Sequence, residues 1–233
     1  MSANADPAEL AKFDQLAHRW WDPQGDFRPL HEINPLRLAW IERHAPLERR
    51  RVLDVGCGGG ILAEAMARRG ADVTGIDLAE KPLRVAELHL RESRLKIEYL
   101  RTGAAELAGQ RPGAFDVVTC MELLEHVPDP AAMVAACARL VRQGGQLFFS
   151  TINRNPKAYL FAVVGAEYVL KLLPKGTHDY QRFVKPSELA RWARDAGLRP
   201  GEIVGMTYNP FTQRYSLGRD CDVNYLLHVV NDV

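Results

Sequence analysis

The stretch MELLEHVPDP, residues 121–130, brings two carboxylates and an imidazole close together: Glu122, Glu125 and His126. On a helical turn, positions i, i+3 and i+4 share one face. The three side chains could therefore hold one divalent cation. An oxygen-rich set with one nitrogen suits Mg²⁺ or Mn²⁺ better than structural zinc. A second reading makes His126 a general base, with the glutamates outside the reaction. A third leaves a solvated turn with a satisfied histidine.

A second group lies upstream. RVLDVGCGGG, residues 51–60, ends an apolar strand in Gly56-x-Gly58-Gly59-Gly60. A dinucleotide fingerprint would need glycine at position 61, where Ile61 stands, and the Gly-Lys-Ser/Thr of a phosphate loop is absent. Such a loop brings bare backbone against a nucleotide without a pyrophosphate cradle. Asp77 closes the next strand and can accept hydrogen bonds from both ribose hydroxyls. Asp54, inside the first strand, is a charge where charge is rare, and suits a ligand carrying a sulfonium or ammonium. The plain alternative is a tight turn followed by an exposed acid. Loop and acid together, in the order a nucleotide site needs, favour the site. Cys57 has no His or Asn partner nearby and reads as a small loop residue.

The elements that must position these residues follow from periodicity. Residues 6–19 space Leu10, Phe13, Leu16 and Ala17 as a helix. Residues 19–35 hold three prolines, a glycine and adjacent tryptophans and read as an ordered loop, and a helix resumes at Pro35. Apolar strands 51–56, 72–78, 96–101, 115–121 and 146–152 then alternate with helices 60–70, 81–93 and 130–141. Continuous Val, Ile, Leu and Phe in the strands predicts a parallel sheet covered on both faces. A helix over 185–197 and two final strands, 198–206 and 222–230, complete the pattern. Residues 1–50 read as a helical cap on a single domain spanning 1–233.

Residues 154–184 interrupt the alternation and read as an insertion. Within it, YLFAVVGAEYVLKLL is apolar at helical spacing, too short to span a bilayer but able to lie in its interface or over the site. Packing on the core is the equal alternative.

Bulk properties narrow the function classes. The 233 residues are 47% hydrophobic and 25% charged, with a net charge of +1. No global basic field exists to attract nucleic acid. The four cysteines, Cys57, Cys120, Cys137 and Cys221, form no C-x-x-C pair and read as reduced thiols. The polar, acidic start MSANADPAEL reads as neither secretory signal nor transit peptide, which predicts a cytoplasmic protein, at most peripheral on the inner face of the membrane.

VLDVGCGGG, VTGIDL, FDVVTCMELLEHV and GGQLFFST resemble the successive motifs of class I S-adenosylmethionine-dependent methyltransferases. That resemblance implies an α/β Rossmann-like fold: a seven-stranded, mostly parallel sheet whose last strand runs antiparallel, with helices on both faces. FDQLAHRWWDPQGDFRPLHEINPLRL, CMELLEHVPDP, STINRNPKAYLFAVVGAEYVL, PKGTHDYQRF and DVNYLLH resemble the narrower family of ubiquinone-biosynthesis O-methyltransferases. The family commonly has Lys-Pro-Gly-Gly where this chain has Arg142-Gln143-Gly144-Gly145, a turn into a strand.

The narrower resemblance implies S-adenosyl-L-methionine as methyl donor and polyprenylated phenols or catechols as acceptors, at both O-methylation steps. It further implies a lipid surface and a ubiquinone-biosynthesis complex as partners. Carried over by motif position, Arg37, Gly56, Asp77 and Met121 are cofactor contacts, and Glu122, Glu125 and His126 are catalytic and metal-binding. In that frame a cation would lower the pKa of a phenol, which near 10 is a poor nucleophile. Two other functions fit the same residues: methylation of soluble catechols, and a silent cofactor-binding subunit of a biosynthetic complex.

Overall fold

The computed structural model describes residues 4–158 and 180–232. The apolar insertion read from the sequence falls mostly outside the described residues.

The centre is β1 (Arg51–Val55), buried at every position after the first. It lies between β2 (Asp72–Asp77) and β4 (Phe115–Met121), and β3 (Ile97–Arg101) and β5 (Val141–Ile152) flank them. These five strands are parallel. β8 (Asn224–Val230) then runs antiparallel to β5, β6 (Arg199–Asn209) antiparallel to β8, and β7 (Arg214–Gly218) antiparallel to β6.

The described sheet thus has eight strands where seven were expected, in the order β3-β2-β1-β4-β5-β8-β6-β7. The final strand is antiparallel as expected. The additional strand is a hairpin product. The Asn209 side-chain oxygen accepts the N–H groups of Phe211 and Thr212 at 2.9 and 3.2 Å, which turns the chain back. β7 is an edge strand alternating exposed and half-buried residues, so it lacks the apolar run by which the inner strands were recognised.

Helices cover both faces. α2 (Arg28–His44) and α3 (Ile61–Ala67) lie on one, where Ile33, Trp40 and Ile41 pack with Val52, Met66, Phe148 and Leu226. On the other, α5 (Ala104–Gln110), α6 (Pro130–Leu140) and α8 (Pro186–Asp195) bury Leu107, Val134, Leu140 and Leu189 against Leu53, Phe115, Leu147 and Phe149. α6 starts on Asp129, whose carboxylate accepts the Ala132 N–H at 2.9 Å, with Pro130 in the first turn where no N–H is needed.

Two expectations need correction. α2 begins at Arg28, not at Pro35, and Pro35 lies inside it. Burial of its Ile33, Leu38, Trp40 and Ile41 face outweighs the hydrogen bond lost at the proline. α5 stands where the sequence reading had no element. A short run with Leu107 and Ala108 as its buried anchors gives little periodicity to detect.

The helix expected over 6–19 is α1 (Pro7–Leu16), capped by Asp6, followed by one 3₁₀ turn, Ala17–Arg19. α4 (Glu80–Ser93) follows β2, and α7 (Pro156–Ala158) is a single turn after β5.

Candidate active site

The carboxyl ends of β1, β2 and β4 open into one cavity of about 570 Å³. Gly56, Asp77, Met121, Glu122, Glu125, His126 and Arg37 all line it, as do Asp54 and Trp20. This is the crevice where an open α/β sheet binds its ligand.

The glycine loop is shaped by contacts on both sides. Gly56 has φ +71°, a conformation that favours glycine, and an added Cβ would stand 2.8 Å from Leu123. At Gly59 an added Cβ would stand 2.2 Å from the indole of Trp20. Trp21 donates its Nε1–H to the Gly59 carbonyl at 2.8 Å and stacks on His89 at 3.5 Å. The adjacent tryptophans therefore hold the loop down. The sequence showed that they were ordered but not what they cover.

Asp77 accepts the Gly58 N–H at 2.9 Å on one oxygen and the Ala79 N–H at 2.8 Å on the other. Each oxygen keeps a second lone pair for a ribose hydroxyl. Burial raises its pKa, against these backbone donors. Asp54 is buried, and the Thr119 hydroxyl, from the paired position on β4, donates to it at 2.7 Å. Burial pushes its carboxyl up to about 7, beyond what Thr119 and Arg37 can offset. A cation entering beside it would favour the ionised form. Burial also drives the Cys57 thiol far upward, which leaves it inert as a nucleophile.

The acidic stretch differs from expectation. Glu122 takes a left-handed φ of +51°, and the 3₁₀ turn begins only at Leu124. Glu122, Glu125 and His126 therefore do not share a helical face; each meets a different partner. The Glu122 carboxylate receives Arg37 at 2.5 Å, Ser150 Oγ at 2.7 Å and Asn224 Nδ2 at 3.1 Å. Burial works against its charge, but Arg37, Ser150 and Asn224 prevail and its pKa is lowered. Glu125 accepts the Thr151 hydroxyl at 2.7 Å. Burial, reinforced by the Glu122 charge, pushes it up to about 7.

His126 Nδ1 is 2.8 Å from Glu9 Oε2 on α1, and Phe13 meets its ring edge-on. Burial opposes the charged imidazole, yet Glu9 and the nearby glutamates outweigh it and raise the pKa. The same bond holds Glu9 down at about 2. Among the described residues no group of three His, Cys, Asp or Glu is placed to hold a metal ion. In this structure Glu122, Glu125 and His126 take separate hydrogen-bond partners, Glu122 with Arg37, Ser150 and Asn224, Glu125 with Thr151, and His126 with Glu9.

Arg37 is buried, not the solvated residue that a lone helix arginine usually is. Among the described residues its Nε has no partner, and neither do the side-chain oxygens of Asn34 and Asn224. Buried polar atoms left open in a cavity lining are places for a polar ligand. They fit a zwitterionic group such as a methionyl arm. Glu9, Trp20 and Asn224 line the site, and Ser150 and Thr151 hold Glu122 and Glu125; the sequence alone assigned none of them a role, although all but Glu9 lie within its motifs, because the partner of each comes from an element remote in sequence.

A methyltransferase-domain family profile matches residues 24–202. A ubiquinone biosynthesis O-methyltransferase from Aromatoleum aromaticum is 69% identical over 98% of this chain and 97% of that protein. The chain belongs to the ubiquinone biosynthesis O-methyltransferases. A second member, from Dechloromonas aromatica, is 65% identical over 99% of both chains. Among solved structures, magnesium protoporphyrin IX methyltransferase from Synechocystis PCC 6803 superposes with a TM-score of 0.69 over 94% of both chains, at 22% identity. That likeness shows the fold. The chain is an S-adenosylmethionine-dependent O-methyltransferase.

Proposed function

We propose that the chain methylates phenolic hydroxyls of polyprenylated quinone precursors, at both O-methylation steps. The observation that carries this reading is a single cavity lined both by Asp77 and by His126. One end suits a nucleoside and the other an acceptor hydroxyl. Leu10, Phe13, Leu16, Phe27 and Met206 supply apolar lining suited to a prenylated ring.

Bound S-adenosylmethionine supplies an electrophilic methyl group on a sulfonium. Asp77 holds the ribose, Gly56 admits the methionyl arm against bare backbone, and Met121 packs on the cofactor. Asp54 faces its positive charge. Arg37, already on Glu122, offers its free Nε to the methionyl carboxylate. His126 takes the phenolic proton on Nε2. The phenolic oxygen then uses its electron pair to bond the methyl carbon, the carbon–sulfur bond breaks, and that pair returns to sulfur.

No described helix is long and apolar enough to cross a membrane. A prenylated acceptor resides in lipid, so the chain works at the inner membrane surface from the cytoplasm, with the apolar stretch at 159–173 as its contact.

The test is methyl transfer from labelled S-adenosylmethionine to a short-chain prenylated catechol and to the unprenylated catechol. Faster turnover of the prenylated acceptor is expected, with loss of activity in His126→Ala. No product while the cofactor still binds overturns the reading. Activity abolished by EDTA and restored by Mg²⁺ would return Glu122, Glu125 and His126 to a cation site.

A further inference from the structure

We infer that His89 on α4 and Glu64 on α3 are positioning residues for the cofactor: they hold the Trp21 indole on the Gly59 carbonyl, and so fix the glycine loop in the form that receives S-adenosylmethionine. The inference holds whichever acceptor is methylated and whichever group takes its proton.

Glu64 is a carboxylate with 0% of its side chain exposed, and the chemistry of the cavity makes no use of it. A charge so deeply buried persists only when it is paired. One of its oxygens lies 2.6 Å from His89 Nδ1, and the other accepts Arg68 Nη2 at 2.8 Å. A carboxylate only accepts hydrogen bonds, so His89 turns a ring N–H toward it. The bond fixes the plane of the imidazole. Trp21 lies parallel to that plane, with centroids 3.5 Å apart and 6° between the rings. An indole face is electron-rich and attracts a ring that carries positive charge. His31 meets the indole edge-on at 5.8 Å. Held between these rings, Trp21 donates its Nε1–H to the Gly59 carbonyl at 2.8 Å.

That carbonyl belongs to the stretch against which the cofactor must fit. Glycines in series have few side-chain contacts to hold them and rotate freely. Here each is braced by a different element. The Gly58 N–H is held by Asp77, Gly59 by Trp21, and Gly60, with φ +86°, lies against Tyr99, whose hydroxyl would stand 2.3 Å from an added Cβ. Asp77 is also the ribose carboxylate, so the peptide between Gly58 and Gly59 joins the cofactor's anchor to the indole. Trp21, His89 and Glu64 do not line the cavity, and their influence on the cofactor passes through the loop.

The experiment measures the Kd for S-adenosylhomocysteine and the Tm, both by calorimetry, for wild type, Trp21→Phe, His89→Gln, His89→Arg and the Trp21→Phe/His89→Gln double variant. Trp21→Phe keeps an aromatic face on His89 but loses the N–H. His89→Gln keeps a donor for Glu64 but loses the ring that carries Trp21. Each is expected to raise Kd about 10-fold, the effect of one hydrogen bond. The double variant should stay within about threefold of the weaker single, because both changes act through one bond. Arginine is planar, donates to a carboxylate and stacks on an indole, so His89→Arg should recover most of the affinity that His89→Gln loses. The emission of Trp21, read as the difference between proteins with and without it, should be stronger in the His89→Gln background, where no imidazole quenches it. Unchanged Kd in Trp21→Phe and His89→Gln overturns the inference, and a lowered Tm beside that unchanged Kd marks a cluster that only supports the fold. A Kd raised in His89→Gln but not in Trp21→Phe overturns it too, since the effect then bypasses the Gly59 carbonyl. Losses that multiply in the double variant, or His89→Arg as weak as His89→Gln, would break the chain from Glu64 to the loop. Should His89→Gln not fold, His89→Asn takes its place.

Discussion

The carboxylates of this site differ by environment more than by residue type. Glu9, on an imidazole, is held near 2, whereas Asp54 and Glu125, buried with one hydroxyl each, are pushed up to about 7. Asp54 gives a direct consequence for binding. A cationic ligand prefers the ionised carboxylate, so affinity must rise with pH through the free protein's pKa. From pH 6 to pH 7.5 the Kd for S-adenosylmethionine is expected to fall roughly eightfold, the change in ionised fraction for a group at 7. Calorimetry across that range checks it, and Asp54→Asn should flatten the profile. A flat wild-type profile would separate Asp54 from the cofactor's charge.

Among the elements, the glycine loop owes its place to a segment far from it in the chain. Trp20 stacks on Phe27 with centroids 4.0 Å apart and lies over Gly58 and Gly59. Gly59 lacks a positive φ, so a methyl group there meets steric trouble chiefly from the indole. Gly59→Ala is expected to destabilise the protein by about 1–3 kcal/mol, the usual cost of overpacking. In a Trp20→Ala background the same substitution should cost well under half as much. Thermal melts of the four proteins close the cycle. Equal costs in both backgrounds would mean that the loop is shaped by its own backbone, not by the tryptophan. The β6–β7 hairpin shows the same dependence on neighbours: its Tyr208 and Tyr215, paired at 4.8 Å, line the cavity, yet nothing in that alternating edge sequence marks them as site residues.

At the scale of the molecule, a sheet with a core on each face carries a polar N-terminal arm across its cavity. The arm and the core make different contributions. Because no residue of α1 is fully buried, although its Phe13 and Leu16 pack on Trp20 and Phe27, deleting residues 1–16 should shift Tm by only a few degrees, whereas kcat should fall about 100-fold as the cavity loses Glu9, Leu10, Phe13 and Leu16 from its lining. Trp20 remains in that truncation, so the glycine loop stays covered and cofactor affinity should change little. Differential scanning calorimetry and turnover on one preparation separate the effects. A collapse of Tm would make α1 part of the folding core, and undiminished turnover would remove the arm from the reaction.

Local order made much of this legible in advance. Strand, glycine loop and helix are contiguous, so the loop and Asp77 could be read as a nucleotide site from residues 51–77, where apolar runs suited to buried strands alternate with helices, while Gly56 and Met121 as cofactor contacts came from the family motifs. The parallel sheet and its antiparallel final strand followed from the same pattern and the family motifs. The tertiary structure alone decided which partners Glu122, Glu125 and His126 meet. Their spacing allows a shared cation, but Arg37 lies 85 residues away and Glu9 lies 117 residues away, and each claims one of them through a buried, charged hydrogen bond. Sequence spacing constrains only neighbours on one element. Which carboxylate meets which cation across elements is set when helices dock on the sheet, because a buried charge must find its partner wherever the fold brings one.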